Sequence, residues 1–476
     1  MVLVAIMLML LLPTQQDSMV SAANSPYRLG ESKKCRDCLM GQLCLNNTCT
    51  TCQTNDQCQT DYSSQSICSG GLCVHKTLFH NKLSGMDILS FFLLFVGCAL
   101  SSGGGIGGGG IYIPILILVN QFSPKVAIPL SNCLVAGCAM ANLIQNFPRR
   151  HPHANKHLID YSVVLLIEPL TLCGTVFGIY LHTLLPPYII LILLVLTLTA
   201  TAATTIKKGL DLYRKEKIRR DYLNVNDGGT PTNEKKMNPF YDADWIKIFL
   251  TLFILVMSTM FSVFKGGNNE YSVIGVKLCS VPYWILSFAI VPLVVVVWVF
   301  TARRLYSNFQ RNQADGIIIE GDIRYTRNAI ILLAGLSVLA GVLASLLGIG
   351  GGMIKGPVLL AMGLSPDIVA ATSSFMILFT SASSAFQYIL LGKLALDYGL
   401  VYYLIGFAAC FVGTQTLIWV VKKYKRRSYI VFLISCIIVI STILLVITEV
   451  IDMEKYPNQP FVSICVPSSG PLSSMF

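Results

Sequence analysis

The sequence predicts an all-α polytopic membrane protein: two inverted repeats, each with a Gly-rich broken, re-entrant helix, behind a small disulfide-rich N-terminal segment. Three observations predict it. Of 476 residues, 54% are hydrophobic and only 12% charged, with a mean hydropathy of +0.65, whereas soluble domains carry about 25% charged residues. Apolar runs near the length a bilayer requires follow one another from Met86 to Val450. Finally, the glycine stretch Gly103 to Pro114 recurs near Gly348, so that Gly105, Gly107, Gly108, Gly109 and Pro114 have counterparts in Gly348, Gly350, Gly351, Gly352 and Pro357.

Residues 1–22 are apolar and end in Val20-Ser21-Ala22, the small residues of a signal-peptidase site. With no Lys or Arg in its first part, the segment reads as a secretory signal or an uncleaved anchor, and either places the next segment outside the cytosol. The segment 23–80 is polar and holds eight of the sixteen cysteines: Cys35, Cys38, Cys44, Cys49, Cys52, Cys58, Cys68 and Cys73. Two Cys-x-x-Cys pairs have the spacing of a zinc site. Behind a signal sequence, an even count in so short a segment favours disulfides, because the few apolar residues cannot form a core. Asn46-Asn47-Thr48 is a glycosylation sequon and agrees with an exterior location.

The first repeat occupies 86–206. Met86 to Ser102 enters the first Gly run and Ile111 to Val119 leaves it, followed by Lys125 to Phe147, Tyr161 to Leu184 and Tyr188 to Ile206. A basic loop at 207–243 precedes the region 244–327, with two extra spans, Trp245 to Phe264 and Val281 to Thr301, and a second basic loop. The second repeat, 328–450, replays the first through Asn328 to Leu347, Met353 to Met362, Asp367 to Leu391, Asp397 to Val421 and Ser428 to Val450; residues 451–476 form a tail. Ser123-Pro124 matches Ser365-Pro366, and Gln145 matches Gln387, both at an offset of 242. Small-residue pairs Gly174/Gly178 and Ala409/Gly413 suit close helix crossing.

The net charge of +11 resides largely in short loops between apolar runs, where it marks the cytoplasmic side; no solvated basic domain is left to bind nucleic acid. Placing the basic loops inside makes the first Gly stretch leave and re-enter one face and the second the opposite face. That is the inverted arrangement of many secondary transporters, whose sites lie where broken helices meet.

Glycine admits backbone to a ligand without an intervening Cβ, and a helix N-terminus presents unpaired N–H groups to an anion. Candidate donors from the next helix are Ser131, Asn132 and Gln145 in one half, and Thr372, Ser373, Ser374 and Gln387 in the other. Lys355 is either functional or snorkelling at a cytosolic rim. Glu168, inside an apolar run before Pro169, is a proton-coupling candidate or a residue satisfied by a neighbouring helix. His151, His153 and His157 lie beside Arg149 and Arg150 on a basic rim, with no carboxylate to complete a metal site. Nothing resembles a nucleophile, base and orienter set, so neither an enzyme, a metal nor a cofactor is expected. Cys98, Cys133, Cys138, Cys173, Cys279, Cys410 and Cys436 are expected to be small apolar packers.

Two copies of Gly-x-Gly-Gly-Gly followed by Pro, each with Ser-Pro and a Ser-Asn or Thr-Ser pair downstream, resemble the sulfite exporter TauE/SafE family over about residues 86 to 450. The resemblance implies coupled secondary transport of sulfite, organosulfonate or related sulfur anions. Lys355, the extra spans and the Cys-rich segment depart from that pattern. A rival reading is a surface receptor or adhesion protein whose Cys-rich segment binds an extracellular partner above a membrane scaffold. Both readings place the protein in a membrane of the secretory pathway, either the plasma membrane or an endomembrane.

Overall fold

The computed structural model describes residues 43–45, 48–61, 65–78, 83–102, 108–150, 157–223, 244–265, 276, 280–314, 323 and 325–424. It also describes 435–436, 439–440, 442–443 and 446. The signal sequence, Cys35, Cys38, Asn46, Gly105, Gly107, His151, His153, Cys279 and most of the final expected span lie outside the described residues.

Among the described residues of the N-terminal segment stand two antiparallel hairpins: β1 (Leu43–Leu45) with β2 (Thr48–Thr50), and β3 (Ser66–Ser69) with β4 (Leu72–His75). Gly70 and Gly71, at φ of 59° and 78°, form the two-residue turn between β3 and β4, where left-handed backbone matches the strand twist. Disulfides Cys52–Cys68 and Cys58–Cys73 tie this hairpin to helix α1 (Asn55–Asp61) and its approach. Each closes a loop of about 15 residues, a constraint that stabilises by roughly 3 kcal/mol in the chain-entropy account. Cys44 and Cys49 stand opposite each other in the β1–β2 register.

From Gly85 the elements among the described residues are helices. A run of four, α2 (Gly85–Ser101), α3 (Gly109–Leu118), α4 (Pro124–Asn146) and α5 (Tyr161–Leu184), is followed by α6 (Pro187–Leu223), α7 (Trp245–Lys265), α8 (Val281–Phe288) and α9 (Ile290–Ala314). A second run of the same order closes the described chain: α10 (Arg327–Leu347), α11 (Gly352–Ala361), α12 (Pro366–Leu390) and α13 (Leu396–Tyr424). Eight helices among the described residues are long and apolar enough to cross a membrane. The ten-residue α3 and α11 are not, since at 1.5 Å per residue each reaches about 15 Å, half a bilayer core. The start signals recur, for Ser123 and Ser365 are extended N-caps with Pro124 and Pro366 in the first turn.

Two loop expectations are corrected. Helix α6 continues to Leu223 through the first part of the 207–243 loop, and α9 continues to Ala314 past Arg303, Arg304 and Arg311. Lys, Arg, Leu and Glu are good helix formers, so the backbone carries on past the apolar run.

The two runs interlock. Helix α5 packs on α10, α13 on α4 and α2, and α12 on both α4 and α5. Small residues permit these crossings: a Cβ on Gly137 would lie 2.1 Å from the Tyr403 carbonyl, on Gly174 2.4 Å from that of Val338, and on Gly413 2.2 Å from that of Ala99. Where α4 meets α13, Cys138 and Cys410 approach with Cα atoms 5.1 Å apart and form a disulfide. These two are therefore bonded partners rather than the free packers expected of them. Cys98, Cys133 and Cys173 are free and buried.

The Cys-rich segment docks on both runs. Lys76 pairs with the buried Asp87 of α2, and the Leu78 N–H donates to Asp397 of α13 at 2.7 Å. The His75 ring stacks on Phe122 with centroids 4.2 Å apart and meets Tyr398 edge-on, while its Nε2 lies 3.1 Å from the Asn120 carbonyl. Burial outweighs the two adjacent carbonyls and holds this imidazole below its ordinary 6.5.

Two predictions follow from packing and docking. A depressed imidazole contributes stability above pH 6.5 that is lost as pH falls through its folded value. Hydrogen exchange across residues 72–78, corrected for intrinsic rate, should therefore speed up between pH 7.5 and 5, and His75→Gln should flatten that change. Gly137→Ala should destabilise by about 1–3 kcal/mol through overpacking, while Gly335→Ala, in a helix interior with open space at its Cβ, should hold or raise the melting temperature of the purified protein.

Candidate functional site

Both short helices begin in the same way. Gly108 (φ 66°) and Gly351 (φ 71°) are left-handed N-caps, each with a proline six residues on, Pro114 and Pro357. Such backbone is strained for any residue bearing a Cβ. In α3 the Gly108 carbonyl accepts from Ile111 and Tyr112, and in α11 that of Gly351 accepts from Ile354 and Lys355. The leading N–H groups, those of Gly109–Gly110 and Gly352–Met353, precede these ladders and are the ones a helix start leaves available.

The two helix breaks meet. A Cβ on Gly109 would stand 2.5 Å from both the Gly348 carbonyl and the Ile349 Cα. Ser131 of α4 joins them, donating to the carbonyls of Gly348 (3.0 Å) and Ile128 (2.8 Å). Gly348 and Gly350 are also left-handed, at φ of 65° and 68°. Chain far apart in sequence thus converges on one buried spot.

Lys355 and Glu168 face each other there. Lys355, one turn into α11, donates from Nζ to Glu168 Oε2 of α5 at 2.7 Å and to Thr380 Oγ1 of α12 at 2.9 Å. Thr380 in turn donates to Glu168 Oε1 at 2.6 Å. Both charged side chains are buried, 2% and 0% exposed, so each charge is tolerated only because the other neutralises it. Lys355 is accordingly not a rim residue. Its repeat counterpart, four residues after the left-handed glycine, is Tyr112, whose hydroxyl lies 2.7 Å from Ser101 Oγ and 4.0 Å from Cys138 Sγ. One short helix therefore carries a charge and the other a neutral hydroxyl.

The other expected donors divide into two groups. Asn132 donates to the Ile128 carbonyl, and its Oδ1 is buried without a partner among the described residues, as is Ser373 Oγ. Thr372 accepts from the N–H of Asp160, the N-cap of α5, at 3.1 Å, and Ser374 donates to the Ala370 carbonyl one turn back at 2.8 Å, so both are already engaged. Gln145 accepts from Gln415 at 2.9 Å and donates to the Ala141 carbonyl; Gln387 donates to Ser383 at 3.1 Å. Asn142, which links the Ser102 carbonyl to Thr414, and Thr380 were not among the expected residues. Their signal was polar density inside a span, which alone does not distinguish a site from helix packing. Among the described residues, the one cluster with metal-ligand proximity is Cys52, Cys58 and Cys73, and all three are in disulfides.

A multi-pass helical membrane protein with two interrupted helices meeting beside a buried ion pair is of the transporter class. The chain belongs to the sulfite exporter TauE/SafE family: the family profile "Sulfite exporter TauE/SafE" matches residues 89–266 and 237–444. Relatives in Arabidopsis thaliana include Sulfite exporter TauE/SafE family protein 1, 31% identical over 378 residues (76% of this chain, 84% of the relative). Family protein 5 is 32% identical over 389 residues, covering 78% and 85% of the two chains. No solved structure matches the chain.

Removing one partner of the buried pair leaves the other charge uncompensated. Lys355→Met and Glu168→Gln should each destabilise by about 3–5 kcal/mol. The double variant should recover much of that loss in a thermal melt; additive losses would show that the pair is not coupled.

Proposed function

We propose that the protein is a secondary transporter of a small sulfur oxyanion, sulfite or an organosulfonate, coupled to a proton carried by Glu168. The observation that supports this reading best is the Glu168–Lys355–Thr380 cluster beside the N-terminus of α11. While Glu168 is ionised it occupies Lys355. Protonating Glu168 removes that claim and leaves the ammonium, the free N–H groups of the short helices and Ser373 to an anion. When the anion leaves, Lys355 recaptures Glu168 and releases the proton. Both steps keep the buried charge balanced, which a low-dielectric site demands.

In this reading the segments 86–206 and 328–450 are oppositely oriented units that alternate around the hairpins, with the basic loops cytoplasmic and the Cys-rich segment on the other face. Asn132 joins Ser131 in lining the site, while Gln145 and Gln387 flank it. The Arabidopsis relatives bear the name of sulfite exporters, which supports a sulfur oxyanion as cargo.

Counterflow of sulfite in proteoliposomes tests the proposal. Wild-type flux should rise when the loading side is acidified, and Glu168→Gln should remove that pH dependence. Gly351→Leu, which forces a side chain onto left-handed backbone beside Ala344, should reduce flux at least tenfold. Absence of wild-type exchange of sulfite or any organosulfonate under any gradient would overturn the reading.

A further inference from the structure

The second helix break has Glu168, Lys355 and Thr380 beside it, and the first has sulfur in the corresponding places. The offset of 242 that matches Ser123 with Ser365 and Gln145 with Gln387 also matches Cys138 with Thr380 and Glu168 with Cys410. The disulfide Cys138–Cys410 between α4 and α13 therefore stands where the Glu168–Thr380 hydrogen bond stands between α5 and α12. Tyr112, the counterpart of Lys355, completes the set. Its hydroxyl lies 4.0 Å from Cys138 Sγ, and a Cβ on Gly108, the left-handed cap of α3, would meet that hydroxyl at 2.1 Å. The disulfide thus stands beside the cap of α3, across the Tyr112 hydroxyl. On its other side, Cys410 Sγ is 3.2 Å from the Cys98 carbonyl oxygen.

A structural staple between the two runs is the simple account of this disulfide. The crossing of α4 and α13 is already closed by backbone, since a Cβ on Gly137 would lie 2.1 Å from the Tyr403 carbonyl oxygen, and one on Gly406 2.3 Å from that of Leu134. A staple would serve at any facing pair along that crossing. It does not account for sulfur at the counterparts of Glu168 and Thr380, beside a helix start that favours an anion.

We infer that the Cys138–Cys410 disulfide is a covalent capture site for sulfite at the first helix break. The inference rests on the sulfur-oxyanion reading for the arrival of sulfite at this depth. Sulfite has a nucleophilic lone pair on sulfur, and such a nucleophile cleaves a disulfide as a thiolate does. In the step, the sulfur of bisulfite bonds to Cys138 Sγ and the Cys138–Cys410 bond breaks. Its electron pair leaves on Cys410 Sγ, which takes the proton that bisulfite brings. Cys138 becomes an S-sulfonate and Cys410 a thiol. The sulfite sulfur is formally oxidised as the Cys410 sulfur is reduced, and no further reactant is consumed.

The products fit their places. The Cys410 thiol donates to the Cys98 carbonyl across the 3.2 Å gap, and the sulfonate meets the Tyr112 hydroxyl and the leading N–H groups of α3. The reverse step, attack of the Cys410 thiolate on the sulfonated Cys138 Sγ, restores the disulfide and expels sulfite. An anion is thereby held at the break whose short helix has no charged side chain.

The test uses sodium sulfite on the full wild-type chain in detergent, with free thiols alkylated at the end of each reaction and peptides read by mass. Untreated protein should yield a peptide pair linked through Cys138 and Cys410. With sulfite, Cys138 should gain one SO3 group and Cys410 should become alkylated. The rate should saturate with sulfite concentration and fall several-fold in excess sulfate, an oxyanion with no lone pair on sulfur. Cys410→Ala should leave Cys138 unmodified, because sulfite does not add to a free thiol. Absence of the linked peptide, absence of the adduct in folded wild-type protein, or a rate linear in sulfite and indifferent to sulfate would overturn the site, and none of these needs a variant to fold. An adduct at Cys138 that persists in Cys410→Ala would overturn it as well. The carrier reading fails separately. Saturable adduct formation without any wild-type counterflow would remove the carrier and keep the site, whereas counterflow without the adduct would keep the carrier and remove the site.

Discussion

A helix that stops inside a membrane leaves backbone groups that lipid cannot satisfy, and the described residues of this membrane protein contain two short helices that begin at buried, left-handed glycines. Everything around Gly108 and Gly351 answers that constraint. The breaks are turned toward each other at Gly109 and Gly348, their short helices packed on α4 and α12, and tied across the two helical runs by Ser131. The prolines six residues into α3 and α11 add to the constraint, because each removes a backbone donor. A fold that buries these ends must bring distant chain together, and the interlocked pairs of α5 with α10 and α13 with α4 do so.

The same burial governs the charges. Glu168 and Lys355 come from different runs, 187 positions apart, and neither would be tolerated alone at that depth. Thr380 bonds both and holds the geometry. The first run places Tyr112 and Cys138 at the equivalent positions, so the two breaks are alike in backbone and unlike in charge. That difference is what a proton-coupled carrier of the proposed kind requires, since one anion needs one releasable counter-charge rather than two.

The Cys-rich segment is part of the same structure rather than a tethered module. Among the described residues, two disulfides set its shape, and His75, Lys76 and Leu78 fasten it to α2, α13 and the loop before α4.

Local rules made much of this readable in the sequence. Glycine and proline break helices wherever they fall, so the two interruptions at Gly103–Pro114 and Gly348–Pro357 were visible, as were the spans, the serine-proline helix starts and the small-residue crossings at Gly174 and Gly413. Helix ends were less legible where basic residues that favour helix follow an apolar run, as at Ile206 to Leu223. Pairing was not legible at all. Glu168 and Lys355 were each suspect because lone charges in apolar runs are costly, yet nothing in the sequence says that one answers the other, and Cys138 and Cys410 looked like independent small residues. The sequence by itself determined where helix stops and where charge is buried, because those depend on near neighbours in the chain. Which break faces which, and which charge meets which, depend on helices brought side by side across hundreds of residues, and only the tertiary structure decided them.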